Sequence, residues 1–126
     1  MKKLIILLML SIFAININAD ISIEKQIEEE NKTLPKNINN SMKLMEIFLK
    51  NKTVNYNILL NGFSIEHLKK ISLIKIFKDI AIPNICLNEK TENLFQNGYK
   101  LKYNFYSKEY ELYDFINIDK KVCQEL

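Results

Sequence analysis

The sequence predicts a small single α+β domain: an N-terminal β-hairpin, a central helix pair and a C-terminal β-hairpin, with an antiparallel sheet packed on the helices and one disulfide. Three observations predict it. Two stretches alternate apolar and polar residues at the period of a strand. Between them, apolar residues recur at helical spacing. The only two cysteines, Cys86 and Cys123, stand just outside the second hairpin, in a chain that opens like an exported one.

The opening residues read as a signal peptide over 1–19. Met1-Lys2-Lys3 is basic, Leu4 to Ala14 is apolar with an extension to Ile17, and Asn18-Ala19 before Asp20 offers a small residue at the cut. The apolar run is shorter than the ~20 residues that span a bilayer, which favours a cleaved signal over an uncleaved anchor. No stable membrane span is expected after cleavage. No cysteine follows the apolar run, so a lipid-anchored form is not expected either. The expected destination is the periplasm, with release from the cell as a variant.

The 126-residue chain carries a formal charge of +3. Loss of Lys2 and Lys3 takes the basic residues from 18 to 16 against 15 acids, leaving the mature chain near +1. There is no arginine. A nucleic-acid binder would show clustered Arg and Lys with strong positive charge, so that class is set aside.

Residues 20–36 are polar and acid-rich, with Glu24 and then Glu28-Glu29-Glu30, and read as a flexible acidic leader ending at Pro35. Within it, Glu29-Glu30-Asn31-Lys32-Thr33 fits an Asn-x-Thr acceptor with an acid two residues before the asparagine. That pattern marks Asn31 as a candidate N-glycosylation site, although Asn39-Asn40-Ser41 and Asn51-Lys52-Thr53 match the short form by composition alone.

The folded domain is expected over 37–126. Met45, Ile47 and Leu49 alternate before Lys50-Asn51-Lys52-Thr53, and Val54, Tyr56, Ile58 and Leu60 alternate after it. With Asn51-Lys52 as the loop, Leu49 faces Val54, Ile47 faces Tyr56 and Met45 faces Ile58. Met42, Met45 and Leu49 also fit a helix, but the Thr53–Leu60 strand needs a partner. Asn61-Gly62 ends that strand. Ile65, Leu68 and Ile71 form one helical set; Leu73, Ile76, Phe77 and Ile80 form another, out of phase, so a break is expected near Ser72. Pro83 is expected to end or kink the second segment around Ile82. Glu89 to Gln96 reads as a further short helix, stopped by Asn97-Gly98.

In the second hairpin, a Lys108-Glu109 loop would set Phe105 against Leu112, Tyr103 against Asp114, Leu101 against Ile116 and Tyr99 against Ile118. That face is apolar except for Asp114. Closing the Cys86–Cys123 loop stabilises by about 3–4 kcal/mol in the chain-entropy picture, which matters to a small core.

Catalytic and metal constellations are sparse. The single histidine, His67, sits among lysines and reads as a surface residue. The two glycines, Gly62 and Gly98, stand too far apart for a phosphate loop. The acids show no metal-ligand spacing, so no metal, cofactor or enzyme activity is expected. The outward aromatics of the second hairpin are more distinctive. Tyr106, Lys108, Tyr110, Tyr113 and Phe115 read as a partner-binding face, since exposed tyrosine and phenylalanine bury area at low entropic cost.

Asn84-Ile85-Cys86, Leu94-Phe95-Gln96-Asn97-Gly98, Leu101-Lys102-Tyr103-Asn104-Phe105-Tyr106 and Cys123 resemble a pattern in small uncharacterised exported bacterial domains. Leu34-Pro35 and the Val54–Leu60 strand fit the same pattern. The resemblance implies an α+β domain with a disulfide and implies no activity. Together these readings give a non-catalytic periplasmic binding or accessory protein that engages another envelope protein through the C-terminal hairpin. The alternative is a periplasmic inhibitor or immunity protein against a wall-degrading or toxic enzyme, with the Ser107–Glu109 turn as its probe.

Overall fold

The computed structural model describes residues 22–126; the signal peptide read over 1–19 lies outside the described residues. Ten elements follow: α1 (Ile23–Asn31), β1 (Lys36–Asn39), β2 (Met42–Lys50), β3 (Thr53–Leu60), α2 (Ile65–Lys70), α3 (Leu73–Cys86), α4 (Glu89–Gln96), β4 (Lys100–Ser107), β5 (Leu112–Ile118) and α5 (Lys120–Gln124). The strands form one sheet in the order β1-β2-β3-β4-β5.

The first hairpin turns at Asn51 and Lys52, with φ of 50° and 59°. Two consecutive left-handed residues make the turn whose twist suits a two-residue hairpin. Leu49 faces Val54 and Ile47 faces Tyr56, as the alternation predicts. A bulge then intervenes, and Leu44 rather than Met45 faces Ile58.

The two hairpins do not join antiparallel. β3 and β4 run parallel and in register, Thr53 against Lys100 through Leu60 against Ser107. A parallel pair needs a long crossover. Here α2, α3 and α4 supply it, and this is why the helical residues sit between the two hairpins in sequence. Val54, Tyr56, Ile58 and Leu60 join Leu101, Tyr103 and Phe105 in the core, all at 1% exposure or less. Tyr56 and Tyr103 stack with ring centroids 4.9 Å apart, and Phe77 from α3 packs 5.3 Å from both Tyr103 and Phe105.

The helix α3 runs through Pro83 to Cys86, correcting the expected stop at Ile82. Phe77, Ala81, Ile82 and Ile85 are buried along one side, so packing carries the helix past the missing amide. Asn84 donates its side-chain amide to the Ile80 carbonyl at 2.8 Å within the same turn. The helix ends at the disulfide: Cys86 bonds Cys123 of α5 across a Cα separation of 5.4 Å. Gly98, at φ 84°, takes the left-handed position after α4.

The second hairpin is slipped by two residues from the expected register. Leu101 faces Ile118, Tyr103 faces Ile116 and Phe105 faces Asp114. The turn is longer than two residues, with Ser107 N donating to the Glu111 carbonyl at 2.8 Å, and Tyr110 at φ 65°. A slip of two preserves the faces, so Leu101, Tyr103, Phe105, Ile116 and Ile118 remain inward.

The segment read as a flexible leader is ordered structure over its described residues. Ser22 caps α1, its hydroxyl accepting from Lys25 N at 3.3 Å. Ile23 and Ile27 are buried against the sheet, and two isoleucines one turn apart are the whole apolar stripe. β1 then adds an edge strand to β2. Where β1 ends, Asn31 replaces it. Its side-chain oxygen accepts from Ile47 N at 2.9 Å, and its side-chain nitrogen donates to the Ile47 carbonyl. One asparagine thereby pairs both outer-edge groups of a β2 residue that β1 does not reach.

Two outcomes follow. Asn31→Ala removes both bonds to Ile47 and is expected to cost about 1–3 kcal/mol in urea unfolding; an unchanged midpoint would show that the edge is capped by other means. Burial raises the hydroxyl pKa of Tyr103, and burial followed by the Glu30 charge raises that of Tyr56. The folded values lie above the unfolded ones. Stability should therefore be fully present below the unfolded value of about 10 and fall as pH rises past it. Stability that stays flat in urea titrations between about pH 9 and 11 would contradict the burial of these hydroxyls.

Candidate partner-binding face

The helices lie on one side of the sheet. Val54, Tyr56, Ile58 and Leu60 share the core with Ile23, Leu68, Phe77 and Ile85. Strand alternation sends Asn55, Asn57 and Leu59 to the opposite side, together with Lys102, Asn104 and Tyr106 of β4. Phe48, opposite Asn55, and Phe115, opposite Asn104, extend that side onto β2 and β5.

A row of asparagines crosses this open face. The Asn104 amide donates to Asn57 Oδ1 at 3.1 Å and to Asn55 Oδ1 at 3.4 Å. The Asn57 amide donates to Glu46 Oε1 at 3.3 Å, and that of Asn55 to the Thr53 carbonyl at 3.1 Å. The amides satisfy one another, so the strands can stay polar along their middle. Around them stand half-exposed Phe48 and Tyr106, and Phe115 at 44% exposure. The Lys102 ammonium lies 4.4 Å from the centre of the Phe115 ring.

Of the five residues read as a binding face, two fall here: Tyr106 and Phe115. Lys108 and Tyr110 are exposed at the β4–β5 turn, at one end of the sheet. Tyr113 is not part of an outward set. It is the extra residue of the bulge between Asp114 and Leu112, half-buried, with its hydroxyl donating to the Ile71 carbonyl at 3.3 Å. Its hydroxyl pKa is raised by burial and then by the charge of Asp114. Lys102 stands on this face as the alternation of the second hairpin predicts, whereas Phe48 is not legible as part of it, because β2 joins the face only once β3 and β4 pair.

The β4–β5 turn is held rather than projecting. Glu109 accepts from Ile65 N at 2.9 Å, and Lys108 N donates to the Phe63 carbonyl at 2.9 Å. The Ile65 amide holds the Glu109 carboxyl below its usual range.

The remaining candidates are placed as follows. Asp114 is exposed and accepts from Phe115 N at 2.7 Å. The His67 ring meets Phe63 edge-on at 5.4 Å on exposed α2. Among the described residues no three of His, Cys, Asp or Glu gather as metal ligands. Asn31 is half-buried, and a sugar on its side-chain nitrogen would have to share that atom with the Ile47 carbonyl.

No protein-family profile matches the chain, and no curated protein is similar to it in sequence. Solved structures share its fold. A Pseudomonas aeruginosa protein described as secreted superposes with a TM-score of 0.67 at 18% identity, covering 79% of this chain and 88% of its own. The pilotin of the Vibrio vulnificus type 2 secretion system gives 0.64 at 13% identity over 80% of this chain and 87% of its own. The type II secretion pilotin of Vibrio cholerae gives 0.58 at 12% identity over 79% and 87%. At these identities the likeness is one of fold. Among the described residues no helix is long and apolar enough to cross a membrane.

The opposite placements of neighbouring aromatics make a direct test. Tyr113→Ala is expected to destabilise by about 2–3 kcal/mol, and Phe115→Ala by less than about 1 kcal/mol. Denaturant unfolding of the two variants reads the difference; the reverse order would place Tyr113 outside and Phe115 within.

Proposed function

We propose that the chain is a non-catalytic accessory protein of the bacterial envelope, exported to the periplasm by the signal at its N-terminus, and that it holds another envelope protein against the open face of its sheet. The observation that carries this reading is the exposed ring of Phe115, with half-buried Tyr106 and Phe48, around an asparagine row whose hydrogen bonds are already made. A surface whose amides are already bonded to one another loses less entropy on docking than one that must order them. Aromatic groups beside a cation are the usual anchors of such contacts. Lys108 and Tyr110 stand at the end of the same hairpin, where a partner lying along β4 and β5 would reach them.

The shared fold supports the same reading, because two of the similar structures are secretion-system pilotins, components of an envelope machine. An accessory role also accords with the site chemistry: the described surface offers aromatic, amide and lysine contacts rather than an arranged acid, base and nucleophile.

Tyr106→Ser combined with Phe115→Ser, introduced into the tagged exported protein, is expected to lower recovery of its envelope partner at least tenfold, about 1.4 kcal/mol. The melting temperature should move by no more than about 4 °C, because neither side chain belongs to the buried core. Undiminished capture by the folded double variant would place the contact elsewhere.

A further inference from the structure

Lysines that are scattered in sequence are gathered by the fold at one end of the molecule. Lys50 and Lys52 stand at the β2–β3 turn. Thr53 pairs with Lys100, and the Lys100 amide donates to the Lys52 carbonyl at 2.9 Å. Leu101 pairs with Ile118, so α5 begins beside the start of β4 and brings Lys120 and Lys121. Two acids stand near them: Asp119, whose carboxylate is spent on the helix start, accepting from Val122 N at 2.9 Å, and Glu92, which lines the adjoining hollow with Phe95 and Lys120. Among the described residues none of these five lysines is ion-paired. Single exposed lysines attract little, but several of one sign around a concavity focus their field.

A concavity is there. A hollow of about 200 Å³ is lined by Phe95, Gly98, Tyr99, Lys100, Lys120 and Lys121, with Asp119 at its side. It shares Phe95 and Lys120 with a second hollow of about 320 Å³ that runs beside the Cys86–Cys123 bond. Phe95 and Tyr99 are half-buried, and the Lys52 ammonium stands 5.5 Å from the centre of the Tyr99 ring. The hollow therefore has aromatic walls and a cationic rim.

We propose that this basic end is a second binding site, which takes an acidic segment of the partner protein: carboxylates on Lys100, Lys120 and Lys121, and an apolar side chain seated against Phe95. The inference rests on the accessory-protein reading but uses a surface separate from the open sheet face. Shape favours a peptide over an anionic membrane. A lipid surface is met by apolar groups that protrude, whereas Phe95 and Tyr99 are recessed below the lysines. Lysine acts as a point charge without the planar fork of arginine, so attraction to this end is sensitive to salt and tolerant of carboxylate geometry.

The test is site-specific photo-crosslinking in the cells that export the protein. Tyr99→p-benzoylphenylalanine reports the basic end, and Phe115→p-benzoylphenylalanine reports the sheet face. The expected result at position 99 is a cross-linked peptide rich in Asp and Glu around an apolar residue. Its yield should fall at least tenfold when Lys100→Glu and Lys120→Glu are added, with the melting temperature shifted by no more than about 4 °C. A trapped peptide without acids, a cross-link to lipid, or a yield indifferent to charge reversal would overturn the inference. A partner trapped at 115 and not at 99 would sink the basic end alone. A partner trapped at 99 and not at 115 would sink the sheet-face reading and leave the basic end standing. No partner at either position would sink both.

Discussion

The structure depends on one seam, the parallel, in-register pairing of β3 with β4. Thr53 meets Lys100 and Leu60 meets Ser107, with no irregularity between. On the inner side the seam stacks Tyr56 on Tyr103 and sets Ile58 beside Phe105, all nearly or wholly excluded from solvent. Burying two tyrosine rings, Phe105 and four aliphatic side chains along one line is a large apolar contribution for a chain of this size. The seam also dictates the topology. Parallel strands cannot be joined by a tight turn, so α2, α3 and α4 must return the chain across the sheet. Those helices then lie over the apolar side, and the disulfide ties the end of α3 to α5.

The side away from the helices is polar along its middle. Asn55 and Asn104 are only 6% and 7% exposed; Asn104 donates to Asn55 and to Asn57, and Asn57 in turn donates to Glu46, so their amides are satisfied without a helix above them. The same register that lines up these amides brings the β2–β3 turn, the start of β4 and the start of α5 to one end. The open face and the lysine-rimmed hollow are two consequences of one alignment. They differ in character. The face is aromatic and amide-rich; the end is concave and cationic. Under the proposed accessory role such a pair would add specificity, because a wrong partner would have to match both.

Much of the scaffold is legible from residue order. Period-two alternation finds β2, β3, β4 and β5, and Asn51-Lys52 identifies its turn, because these signals are local. The Cys86–Cys123 bond is legible from cysteine count in a chain whose opening residues read as an export signal. What is lost is non-local. Ile23 and Ile27 are too few to announce a helix, and α1 is held by the sheet and by Asn31 rather than by its own pattern. Pro83 signals a stop that the buried face of Phe77, Ala81 and Ile85 overrides. The bulges at Met45 and Tyr113 shift a strand by one residue, and only cross-strand packing selects them. For Tyr113 that shift turns a residue read as outward onto Ile71. The lysine cluster is invisible in sequence, since Lys52, Lys100 and Lys120 lie far apart in the chain and meet only through the seam.

The most direct measurement is solution NMR of the exported domain, reading contacts between the rings of Tyr56 and Tyr103 and amide exchange along both strands. The account predicts cross-strand contacts at Val54–Leu101, Tyr56–Tyr103 and Ile58–Phe105, with the amides of β3 and β4 the slowest to exchange in the sheet. Fast exchange along β4 outside its pairing with β5, with no contact between the two tyrosine rings, would contradict the seam, and with it the open face and the basic end that the seam creates.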